Sequence, residues 1–452
     1  MLLLGFVETI VTAQTGRIAG PIDPQRLVPL KGGINPSVRR EDDQGRVDGN
    51  LRLEYMTLLL QRRGGQREAL RRLLAEQQDS RSPNYHRWLT PEQFGERFGA
   101  SRSDLDTLAE WLRSNGFTVE STARGRGWLV FSGTARQVER TFGSEIHRYS
   151  TDGKLHFANA APPSIPAAFE GLVAGIRGLD DFYPEPPSDF QPRYNTANFN
   201  HALAPSDFGT IYDVTPLWNA GIDGTGQNIA IIGESAIDPA DVSSFRQMFG
   251  LPSQVPQQVL VGAKPAANDG AMAEADLDLE WAGSIAPNAS LTYVYASNVF
   301  NAVSYAIDQN LAPVMSFSFG ACEPNVPGDA AAAIEDLAQQ ANAQGITWVV
   351  ASGDAGPATC DAGSDLPTHG LAVSFPASLP EVTGVGGTWL SGYGGPYWDN
   401  QTGSALSYIP EAAWNDTTES FYLTGHLTIA ASGGGSSTLY PETLLADRPG
   451  SA

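Results

Sequence analysis

Residues 271–296, AMAEADLDLEWAGSIAPNASLTYVYA, contain the change of hydrophobic period that decides the fold. The first half spaces its apolar residues as a helix does, opening at Asn268 or Asp269 and stopping at Gly283. The second half, SLTYVYA, is an almost unbroken apolar run, the pattern of a strand covered on both faces. The helix carries Glu274, Asp276, Asp278 and Glu280. Glu274 and Asp278 are four residues apart and share one face, with Cβ atoms about 5–6 Å from each other. Asp276 and Glu280 point away from that face. No basic residue lies nearby, so burial of the face would make the pair share a proton and raise one apparent pKa. On spacing alone, a solvated acidic face is the plainer reading.

Outward from this segment the pattern repeats. NIAIIGES (228–235), SLTYVYA (290–296), PVMSFSFG (313–320) and TWVVASGD (347–354) alternate with helical stretches near 236–249, 272–283, 299–310 and 329–344. This alternation predicts an α/β domain on a parallel sheet. Functional groups in such sheets gather at the carboxyl ends of the strands, where Asp354 stands. The first 185 residues read differently, as α+β. LRLEYMTLLLQRR reads as a helix broken at Gly64-Gly65, and SRSDLDTLAEWLRSNG as a helix capped by Ser103 and ended by Gly116. With FTVEST, GWLVFSG, TARQVERTFG and EIHRYS they approximate the β-α-β-β-α-β order of a ferredoxin-like domain. Residues 182–205 are proline-rich and without period, which marks a linker.

Charge divides the chain at the same place. Residues 1–185 hold 24 Lys+Arg against 23 Asp+Glu; the remainder holds 4 against 27, for a net charge of −22. An acidic surface of this kind repels nucleic acid and anionic lipid. It also suits acid, because few native ion pairs are lost when carboxylates protonate, although acidity serves solubility equally. The start, MLLLGFVETIVTAQ, is apolar and ends in the small-residue site Val11-Thr12-Ala13, as a secretory signal does. No stretch is long enough for a membrane span. Cys322 and Cys360 both follow strand-like runs. A disulfide between them would contribute about 3–4 kcal/mol; two unpaired buried thiols are the alternative. Two cysteines and six scattered histidines make no metal site.

EADLDLEWAGSIAPNASLTYVYA, SFSFGACE, ASGDAG and VTGVGGTWL, in this order and spacing, resemble the sedolisin family of serine-carboxyl peptidases. SPNYHRWLTPEQFGERFG, GFTV and FSGTARQVERTFGSEIHRY resemble that family's activation propeptide. The resemblance covers about residues 50–440. It implies a signal segment at 1–20, a propeptide at 21–183, a linker with the maturation cleavage at 184–205, and a subtilisin-like peptidase domain from 206 to 452. Within the E-x-x-x-D motif it makes Glu274 the general base and Asp278 the carboxylate that orients it. Asp354 becomes the oxyanion-hole acid, which must be protonated to donate, hence work at low pH. Ser316, Phe317, Ser318 and Gly320 become a backbone edge for extended peptide, with a plain small-residue strand end as the alternative. The implied partners are a peptide or protein substrate and the chain's own propeptide, with no nucleic acid or membrane, and the implied location is extracellular.

The family's nucleophile lies in a G-T-S motif, and no Gly-Thr-Ser occurs in these residues. The resemblance therefore places the nucleophile, and a calcium site, beyond residue 452. No cofactor is expected within the chain, and calcium is expected of the complete domain. Ser436 or Ser437 of SGGGSS is the candidate substitute nucleophile, against a plain glycine-rich loop. Glu323 reads as solvent-facing, and Asn288, Asn400 and Asn415 are sequons. Two rivals stand beside an acid endopeptidase precursor. One is an inactive relative that binds peptides or inhibits related peptidases. The other is a glycosidase using Glu274 and Asp278, disfavoured because one helix face does not flank a sugar ring.

Overall fold

The computed structural model describes residues 14–151, 153–183, 203–390, 395–399, 401–418 and 428–440. The signal-like start through Ala13 and most of the 184–205 linker lie outside the described residues. The chain divides into two compact units. The first comprises residues up to Phe182 with Pro327–Ala333 and Ala343–Gly345; the second takes the rest from Tyr183.

The first unit is built on a four-stranded antiparallel sheet in the order Thr118–Thr122, Trp128–Thr134, Arg52–Leu60, Val173–Arg177. With helices Arg102–Ser114 and Ala135–Phe142, this is ferredoxin-like connectivity. Phe131, Phe142, Leu108, Leu112 and Phe169 fill its core. Four sequence expectations are corrected. The segment after Leu51 is the central strand, not a helix. Its register shifts between Leu53 and Met56, with Tyr55 at φ 59°, and this bulge replaces two-residue alternation by a three-residue step that imitates a helix. Gly64 starts a helix, Gly64–Gln78, rather than breaking one. Ile146–Thr151 belongs to a separate sheet with Asp43–Arg46 and Lys154–Asn159, and Val173–Arg177 closes the main sheet instead. The cap of helix Arg102–Ser114 is Ser101, whose side chain accepts from the Asp104 N–H.

The second unit carries a six-stranded parallel sheet in the order Gln257–Leu260, Ser290–Tyr295, Asn228–Gly233, Val314–Phe317, Thr347–Ala351, Thr383–Val385. Ile231 stands between Tyr293 and Ser316, and Ile232 between Val294 and Phe317. Runs of successive buried residues, such as Ala230 to Ile232, are what a sheet covered on both faces requires. Helices Pro239–Met248, Asp269–Ile285, Val299–Gln309 and Gly328–Ala343 connect the strands. Ala275 and Leu279 pack with Ile231, Tyr293 and Tyr295, so the acidic helix is fixed against the middle of the sheet. Ser318 and Asp354 follow the carboxyl ends of neighbouring strands, Val314–Phe317 and Thr347–Ala351.

Candidate active site

Helix Asp269–Ile285 is capped by the Asn268 side chain, which accepts from the Ala271 N–H at 3.1 Å. Its buried line is Ala271, Ala275, Leu279 and Gly283, at four-residue spacing. The helix does not stop at Gly283 but continues to Ile285. Gly283 is there for close approach: a Cβ would lie 2.7 Å from Arg246 Nη1. The Arg246 guanidinium donates to the carbonyls of Pro252, Gly283 and Pro287 at 2.6, 3.1 and 2.7 Å. This buried cation is thereby committed to backbone and leaves the nearby carboxylates unneutralised.

The carboxylates flank that buried line. Glu274 and Asp278 each precede a core residue by one position, and Asp276 and Glu280 each follow one. At 100° per residue the two pairs fall on opposite flanks. On the first flank, the Ser318 hydroxyl donates to the Asp278 carboxylate, 2.9 Å from both of its oxygens. Burial pushes Glu274 up to about 7, helped by repulsion from Asp278 and Asp354. Burial raises Asp278 to about 6, against the Ser318 hydrogen bond. On the second flank, burial and repulsion from Asp241 raise Asp276 to about 6 and Glu280 to about 7. The charge of Asp276 also acts on Glu280, so these two are a coupled pair that the sequence reading did not identify.

Asp354 joins the first pair from the sheet. Its carboxyl is raised by burial, and its charge is felt at Glu274. The backbone around it is fixed by the glycine-rich loop: Ala431 N–H donates to the Asp354 carbonyl at 2.8 Å, and Gly433 N–H to Gly353 at 2.7 Å. A Cβ at Gly433 would sit 1.9 Å from the Ser352 carbonyl oxygen, so only glycine fits. Three acids therefore converge without a cation, an arrangement that holds protons into mild acid.

Glu323 does not face solvent; it is 1% exposed. It accepts from Ser437 Oγ at 2.6 Å and from Thr438 N–H and Oγ1 at 2.8 and 2.9 Å. Burial alone would raise this carboxyl, but these bonds hold it below its ordinary value. Ser437 thus spends its proton on a poor base and anchors the loop, while Ser436 is exposed. Of the expected peptide edge, Ser316 and Phe317 are paired on both sides within the sheet. Phe317 packs into the core against Phe300 and Trp348. Ser318 to Gly320 lie past the strand end, and a Cβ at Gly320 would meet Ser374 Oγ at 2.3 Å. Cys322 and Cys360 are bonded, with Cα atoms 4.9 Å apart. In sequence Ser318 stood out only as part of the expected peptide edge; its hydroxyl contact with Asp278 had no signal beyond its place just past a strand's carboxyl end. Among the described residues, no group of three or more His, Cys, Asp or Glu is placed to hold a metal ion. No helix among them is long and apolar enough to cross a membrane.

Comparison with known proteins gives the following. Residues 40–182 match the pro-kumamolisin activation domain, and residues 268–444 match the subtilase family. Kumamolisin of Bacillus sp. (strain MN-32) is 29% identical over 88% of this chain and 70% of its own length. Xanthomonalisin of Xanthomonas sp. (strain T-22) is 30% identical over 74% of this chain and 45% of its own length. The chain thus spans less than half of that relative. A solved structure of Pseudomonas sedolisin, a serine-carboxyl proteinase complexed with two molecules of pseudo-iodotyrostatin, is 26% identical. It covers 55% of this chain and 68% of that one, with a TM-score of 0.45.

Proposed function

We propose that this chain, whose residues 40–182 match the pro-kumamolisin activation domain and 268–444 the subtilase family, is a serine-type endopeptidase precursor with Glu274, Asp278 and Asp354 as its acid-tuned catalytic carboxylates. Glu274 takes the proton of a serine nucleophile, Asp278 orients Glu274, and protonated Asp354 donates to the oxyanion that develops on the scissile carbonyl. The observation that carries this is the convergence of three carboxyls whose titrations all lie above their ordinary values. A histidine base would be fully charged in acid, whereas a carboxylate pair keeps a proton-accepting form. Extended peptides are the proposed substrates, with Ser318 to Gly320 as part of the edge they pair with. The disulfide supports an extracellular location. Calcium is expected of a complete domain, and no step here runs through it.

The required forms set the pH profile. The active form has Glu274 deprotonated and Asp354 protonated, so the rate is lost at low pH, where Glu274 is protonated, and at high pH, where Asp354 is ionised, which gives a bell-shaped profile. The test is cleavage of a denatured protein from pH 3 to 8 by the wild type and by Glu274→Gln. A bell-shaped profile that vanishes in the variant supports the proposal; equal cleavage by both defeats it.

A further inference from the structure

The glycine-rich loop 431–438 is fastened at both ends. At its start it is stitched to the chain around Asp354. The Ala431 N–H donates to the Asp354 carbonyl, the Gly433 N–H to the Gly353 carbonyl and the Gly356 N–H to the Ala431 carbonyl, at 2.8, 2.7 and 2.8 Å. The Ser352 hydroxyl adds a bond to the Gly433 carbonyl at 2.9 Å. At its far end the loop is gathered by the buried Glu323 carboxylate. One carboxylate oxygen accepts from Ser437 Oγ, the other from Thr438 N–H and Oγ1. Glu323 is itself held in place: Cys322 of the disulfide precedes it, and its N–H donates to the Val373 carbonyl at 3.0 Å. It stands three residues past Gly320, where the proposed peptide edge ends.

We infer that Glu323 is a positioning residue: through the loop 431–438 it holds the backbone of Asp354 in register with the peptide edge at 318–320. The purpose rests on the peptidase reading; the geometry does not. One substrate has to meet both places at once, its backbone at the edge and its scissile carbonyl at the Asp354 carboxyl. A group misplaced by about 1 Å can cost a hundredfold in rate. The middle of the loop cannot supply this precision. A Cβ at Gly434 would meet nothing within 4 Å, and Gly435 lies at φ 136°, so this stretch keeps its place through its two ends. A carboxylate suits the far end, because three donors converge on it and hydrogen bonds to an ionised acceptor are roughly twice as strong as neutral ones. Those bonds hold Glu323 below its ordinary value, so it keeps its charge in acid that protonates Glu274, Asp278 and Asp354.

The test perturbs one end of the loop and reads the other. In Glu323→Gln, amide exchange of Ala431 and Gly433 is expected to quicken about tenfold, while Ser290–Tyr295 keeps its wild-type protection. The Asp354 carboxyl, followed by 13C NMR and assigned by its loss in Asp354→Asn, is expected to titrate lower in this variant, because a loosened loop admits water to it. Should Glu323→Gln fail to fold, the double variant Ser437→Ala, Thr438→Val removes two of the three donors from the loop side and is read in the same way. Wild-type exchange at Ala431 and Gly433, or an unmoved Asp354 titration, would overturn the inference. So would a loss of protection in Ser290–Tyr295 as large as that in the loop, which would mark Glu323 as a general stabiliser. Neither readout needs cleavage, so the two readings fail separately. A Glu274→Gln variant that cleaves like the wild type would remove the peptidase reading and leave Glu323 holding the loop.

Discussion

A surface network in the first unit and the acidic helix of the second handle carboxylates in opposite ways. In the first, acids meet bases: Arg46 pairs with Glu139, Arg124 with Glu92, and Arg81 with Asp79. His147 lies between Asp43 and Glu145 at 2.9 and 3.0 Å. On helix Asp269–Ile285 acids meet acids, and the buried cation Arg246 is bound to carbonyls. The division is one of these two sites, since burial raises Asp180 in the first unit and Asp361 pairs with His369 in the second. The consequences under acid differ in sign. Glu145 is held low by His147. Asp43 is raised by burial, but hydrogen bonds from Gly45 and His147 overcome this and hold it low. Both contribute stability above their unfolded values and lose it as pH falls through the folded ones. His147 is lowered by burial but raised overall by its two partners. Its contribution is complete below its unfolded value and is lost as pH rises. Glu274, Asp276, Asp278 and Glu280 are all raised, so the native second unit binds more protons than the unfolded chain between about pH 4 and 7 and weakens as pH rises. In mild acid the protonated His147 still supports its network in the first unit while the raised carboxylates favour the second. Only stronger acid, below the ordinary carboxylate range, undoes the pairs of Asp43 and Glu145.

The largest way to sharpen this contrast is the disulfide, which the first unit has no cysteine to imitate. Cys360→Ser, opening a crosslink of sequence separation 38, should cost the second unit about 3–4 kcal/mol in chemical denaturation. Equal loss of amide-exchange protection in Trp128–Thr134 would break the division. Next is the acid response. Protection in Ser290–Tyr295 should fall by about 1–2 kcal/mol from pH 5 to 7 after screening is allowed for. Glu274→Gln should flatten that slope, and an unchanged slope would show that the buried pair does not govern it. The smallest effect is in the first unit. His147→Ala should cost a few tenths of a kcal/mol near pH 5.5 and less at pH 8. A loss that grew with pH would reverse the sign assigned to this network.

The four inner strands of the parallel sheet and its helices were legible because each of those strands is a short apolar run and each helix a separate period, whereas the edge strands Gln257–Leu260 and Thr383–Val385 carry no such run and were not read. The first unit was less so. Arg52–Leu60 buries Leu58, Leu59 and Leu60 in succession and carries a bulge, so neither the two-residue nor the helical period describes it. Glu274, Asp278 and Asp354 were readable from motif and position. What they touch was not, because contacts between residues 278 and 318, or 323 and 437, depend on how the chain returns to the sheet. Glu323 shows this best: nothing local to ACEPN says that its carboxylate is buried under a loop more than a hundred residues later.

The two flanks of the acidic helix also carry an evolutionary consequence. Its sequence can be threaded in two frames, because Asp276 and Glu280 repeat the spacing of Glu274 and Asp278 two residues later. A lineage that deleted two residues ahead of Glu274 would bring Asp276 and Glu280 toward Ser318 and lay Leu277 and Trp281 where Ala275 and Leu279 now pack. The larger side chains would crowd that core, so packing, more than charge, keeps this helix in its present frame.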